Sequence, residues 1–65
     1  MIEYLNNNAI KENNNYVFNS KMGKILIIPD YKNKEVQIYD KVTDIHICTC
    51  TTKENLIRTL NFFNK

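Results

Sequence analysis

The chain has 65 residues, a formal net charge of +2 at pH 7 and 43% hydrophobic residues. So short a chain makes one domain, 1–65, and removes only about 60% of its unfolded surface from water, so a metal, a cross-link or a second subunit would help to hold it. The mild charge announces no polyanion partner, no apolar run approaches the ~20 residues of a membrane span, and Met1-Ile2-Glu3-Tyr4-Leu5 lacks the basic and apolar regions of a signal peptide.

In chain order, Ile2, Leu5 and Ala9 fall on one helical face, widened by Tyr4 and Ile10. This predicts a short helix near 2–8, with a strand as the alternative, because the Asn6–Asn8 triplet is a poor helix former. Asn13-Asn14-Asn15 reads as a turn, since Asn tolerates left-handed geometry. Tyr16-Val17-Phe18 is a first strand of good propensity. Gly23, the only glycine, stands where a short hairpin loop needs a positive φ.

Ile25-Leu26-Ile27-Ile28 then runs apolar without a break, between Gly23 and Pro29. Such a run reads as a strand buried on both faces, Ile25 and Ile27 on one and Leu26 and Ile28 on the other. Residues 29–33 turn, and Lys34–Tyr39 alternates, with Val36 and Ile38 opposite Glu35, Gln37 and Tyr39. A fourth strand is expected over Asp44–Cys50, with Ile45 and Ile47 on one face and His46, Cys48 and Cys50 on the other. Thr51 with Glu54 matches a capping box. It opens a helix from 52 to about 63 with the stripe Leu56, Ile57, Leu60 and Phe63, flanked by Phe62.

The fold class that follows is α+β: a four-stranded antiparallel β-meander with a C-terminal helix packed on one face, and a short helix before it. The other face of the central strand is to be covered by the N-terminal segment or by a second copy in a homodimer.

No catalytic residue is assigned. A thiolate nucleophile needs a base in reach and a group to orient it, and His46 is the only histidine. One glycine makes no phosphate-cradling loop. His46, Cys48 and Cys50 are all metal-ligand types, but same-face residues of a strand stand about 7 Å apart. Three of them wrap one ion only across a dimer or a bulge, so no metal and no cofactor are assigned. A Cys48–Cys50 disulfide would be strained, and two reduced thiols fit a cytoplasmic protein.

The expectation is therefore a non-catalytic binding module whose partner is another protein, met through Glu35, Gln37 and Tyr39 and through Phe62. Eleven Asn among 65 residues suggest an A/T-rich coding genome, and with it a phage or mobile-element modulator or inhibitor of a host macromolecule, working in the host cytoplasm. The alternative partner is single-stranded nucleic acid, held by Lys21, Lys24 and Lys41 with Tyr16 and Tyr39 as stacking faces. Four antiparallel strands followed by a helix resembles, in layout alone, the coactivator-type single-stranded-DNA binders.

Overall fold

The computed structural model describes residues 1–65. In chain order they form α1 (Ile2–Asn8), β1 (Ile10–Glu12), β2 (Asn15–Ser20), β3 (Gly23–Asp30), β4 (Glu35–Asp40), β5 (His46–Cys50) and α2 (Lys53–Phe63). The strands make one antiparallel sheet in the order β1-β2-β3-β4-β5. The class is α+β with an antiparallel meander, as expected, but the sheet has five strands instead of four.

The additional strand is β1. Ile10-Lys11-Glu12 has little strand propensity of its own. It is made by the turn that follows, where Asn13 takes φ 58° and returns the chain so that Glu12 pairs with Asn15 and Ile10 with Val17. Asn is among the few residues that adopt this conformation readily.

β3 is the centre of the sheet, pairing with β2 through 23–27 and with β4 through 25–30. Gly23 begins it at φ 120°, with open space around it, so backbone geometry and not crowding requires glycine there. Pro29 belongs to β3 instead of ending it. It lies past the last residue that pairs with β2, where no neighbour on that side asks for an N–H.

The core lies on one face of the sheet. Tyr16, Ile25, Ile27, Val36, Ile38 and Cys50 meet Leu5 from α1 and Leu56, Leu60 and Phe63 from α2 in one buried cluster. Each such aliphatic or aromatic side chain contributes about 1.5–3 kcal/mol on burial. The Tyr16 hydroxyl donates to Asn6 Oδ1 on α1, so this polar atom sent under the helices is satisfied. α2 starts one residue later than expected. Thr52, not Thr51, is the N-cap and accepts from the Asn55 backbone N–H at 3.1 Å. Asn64 ends the helix and its Oδ1 accepts from the Lys21 backbone N–H at 3.0 Å, tying α2 to the β2–β3 turn.

Because α1 and α2 share a face, nothing in the chain covers the other one. Leu26 and Ile28 are only half-buried there, which corrects the expectation of a strand wrapped on both sides. Strict alternation also fails in β5. Ile38 pairs with Cys48 but Tyr39 pairs with His46, so one extra residue bulges out of β5 at Ile47. The bulge turns His46 away from Cys48 and Cys50.

Candidate binding face

The open face carries a row of side chains that crosses all five strands. Ile10 pairs with Val17, Val17 with Leu26, Leu26 with Tyr39 and Tyr39 with His46. The row is apolar from β1 to β3 and turns aromatic and polar on β4 and β5. Val17 is only 4% exposed although no helix lies over it. The register sets Ile10 and Leu26 on either side of it, and neighbours in a sheet row shield one another. A second row runs from Ile28 through Gln37 to Thr49.

At the β4–β5 end, Gln37 organises a polar cluster. Its Nε2 donates to Glu35 Oε1 at 3.1 Å. Its Oε1 accepts from Thr49 Oγ1 at 2.6 Å and from His46 Nε2 at 2.9 Å. An amide oxygen has no hydrogen, so His46 carries one on Nε2. The His46 ring also meets the Tyr39 ring edge to face, with centroids 5.1 Å apart, a geometry aromatic pairs favour. Glu35, Gln37 and Tyr39 therefore stand together as expected, and His46 and Thr49 join them. Neither was assigned from the sequence: the bulge that brings His46 here has no Gly or Pro to mark it, whereas Thr49 faces away from Cys48 and Cys50 by alternation alone.

In this cluster two donors share one acceptor, the Gln37 amide oxygen. Thr49 Oγ1 and His46 Nε2 both aim their hydrogens at one oxygen, 3.4 Å from each other, so neither serves the other as base. The thiols lie on the opposite face. Cys50 is buried with Sγ 3.6 Å from Thr59 Oγ1. Burial, and then the adjacent Cys50, push the Cys48 thiol above its ordinary range, which keeps it protonated and a poor nucleophile. His46 and the two cysteines do not converge on one point.

The remaining candidates scatter. Phe62 is 56% exposed on the outer side of α2, where it lines a shallow groove with Ile57, Arg58 and Asn61. The sheet and α2 stand between it and Tyr39. Lys24 and Lys41 are neighbours, Lys41 N–H donating to the Lys24 carbonyl at 3.0 Å, and Lys21 lies in the turn beside them. Tyr16 is a correction: it is 0% exposed inside the core, because its strand parity points it at the helices, so it offers no stacking face. A smaller cleft of about 160 Å³ lies between Met1, Ile2 and the β3–β4 loop. Compared with known protein families, curated proteins and solved structures, the chain matches none.

Proposed function

We propose that this chain is a non-catalytic module that binds another protein through the open face of its sheet. The observation that carries the reading is a continuous uncovered row, Ile10 to Tyr39, ending against the Glu35, Gln37, His46 and Thr49 cluster. Protein interfaces combine an apolar centre rich in aromatic residues with a polar rim. Here the rim is preorganised, so little side-chain freedom is lost on docking. Tyr39, half-buried with its ring position fixed by His46, is the anchor, and Glu35 and Gln37 give direction. Phe62 belongs to a second, separate surface. No helix is long and apolar enough to cross a membrane. With the Asn-rich composition, the reading extends to a phage or mobile-element protein that modulates or inhibits a host macromolecule in the cytoplasm.

A single-stranded nucleic acid is the second reading. It is favoured by Lys24, which has the strand parity of Leu26 and so shares the open face with Tyr39. The experiment that separates the two compares the wild type with Tyr39→Ala and Lys24→Ala in capture from a host extract and in oligonucleotide titration at two salt concentrations. The protein reading expects capture lost with Tyr39→Ala and kept with Lys24→Ala, and no salt-dependent oligonucleotide binding. Oligonucleotide affinity that falls steeply with salt and with Lys24→Ala would replace it.

A further inference from the structure

The sheet has two free edges, β1 and β5, and they are defended differently. Proteins blunt free edges with short strands, charges, prolines and bulges, because an unpaired row of N–H and C=O groups is a template for another strand. β1 has only three residues, and two of them are Lys11 and Glu12. β5 has five residues, and from Ile45 to Thr52 the chain has no Asp, Glu, Lys or Arg. Val42, Ile45 and Ile47, on this strand and the loop that leads into it, are 82%, 64% and 41% exposed. The one defence is the bulge at Ile47, and it leaves Cys48–Cys50 regular.

We propose that β5 pairs antiparallel with β5 of a second copy of this chain, about a two-fold axis, joining the two sheets edge to edge. A two-fold contact sets a patch against itself, so any charge near the axis meets its own kind. β5 meets that condition and β1 does not, since pairing β1 with itself about its middle would set Lys11 against Lys11. The first charges beyond β5 are Asp44 on one side and Lys53 on the other. Antiparallel pairing brings each Asp44 toward the partner copy's end from which Lys53 emerges. Glu54, the next residue, is turned about 100° around α2. The joined sheet leaves the open face free on both copies, so this contact stands or falls independently of the binding-face reading.

The test is the solution mass by light scattering or sedimentation from about 10 μM to about 1 mM, the range in which small interfaces assemble. The mass rises from 7.7 kDa toward twice that value. Ile47→Lys holds the protein at the monomer mass, with a folded spectrum, while Ile10→Lys on the open face leaves the rise unchanged. Ile45→Lys, at a side chain more exposed still, repeats the test should Ile47→Lys disturb the bulge. A mass that stays at the monomer value in the wild type overturns the proposal, which would leave the edge to an extended segment of another protein. So does a dimer that survives both β5 substitutions, or one that Ile10→Lys abolishes.

Discussion

On β3, Ile25 and Ile27 differ little in chemistry from Leu26 and Ile28, yet the first pair lies under two helices and the second under none. Hydrophobicity states that a side chain gains by leaving water; it does not state on which face cover will arrive. That is decided by how the chain enters and leaves the sheet. α1 runs into β1 and α2 runs out of β5, and both pack on the face that Tyr16, Val36 and Ile38 enlarge. The opposite face must rely on neighbours in its own rows, which is enough for Val17 and only half enough for Leu26 and Ile28.

The comparison is broken most sharply by one charge on each face. Ile27→Asp buries an unpaired carboxylate at a cost of several kcal/mol, comparable with the whole stability of a small domain, so circular dichroism should find no cooperative melt. Leu26→Asp, one residue away, should leave a folded protein. Equal damage from the two would mean that the open face is covered after all.

On α2 the same contrast is milder. Leu60→Ala should cost about 2–5 kcal/mol, and Phe62→Ala about 0.5 kcal/mol or less. A melting point that fell as far for Phe62 would put that ring in the core. Next comes the cap. Thr52→Ala should cost about 1 kcal/mol, and Thr51→Ala should leave the melting point nearly where it is.

The smallest effect is in the loop joining the two central strands. Asn33 donates to Asp30 through its side chain at 2.8 Å and its backbone N–H at 3.2 Å, which holds the Asp30 carboxyl below the usual aspartate range. A carboxyl lowered on folding adds stability above its unfolded pKa and loses it as pH falls through the folded one. The contribution should therefore vanish only at strongly acid pH, and Asn33→Ala should move the Asp30 titration, followed by NMR, back up.

Much of this could be read from residues. The central strand, the hairpin glycine, the 2–8 helix and the stripe Leu56, Leu60, Phe63 each had a local cause: β-branched content, a φ requirement, helical spacing. β1 could not be read, because Lys11 and Glu12 are strand only by pairing with β2. The choice of Thr52 over Thr51 turned on which of two adjacent hydroxyls the backbone aims at an N–H three residues on. His46 was misplaced for the most instructive reason. Strand alternation is reliable until one residue is inserted, and Ile47 gives no sign that it is that residue. The candidate site was thus legible in large part, Glu35, Gln37, Tyr39 and the face of Thr49 from alternation, and His46 only from the fold.

The two helices that close the core join the sheet at its opposite edges, and α1 has only seven residues. Segments that short are marginal as helices in water. α1 is held instead by Leu5 in the core cluster and by the Tyr16 hydroxyl that donates to Asn6, so its lasting form waits for the strands. The meander that follows is in turn greasy on one side until Leu56, Leu60 and Phe63 arrive. Helices and sheet therefore become stable together through one shared cluster, so unfolding should be a single cooperative step in which neither helix outlasts the meander.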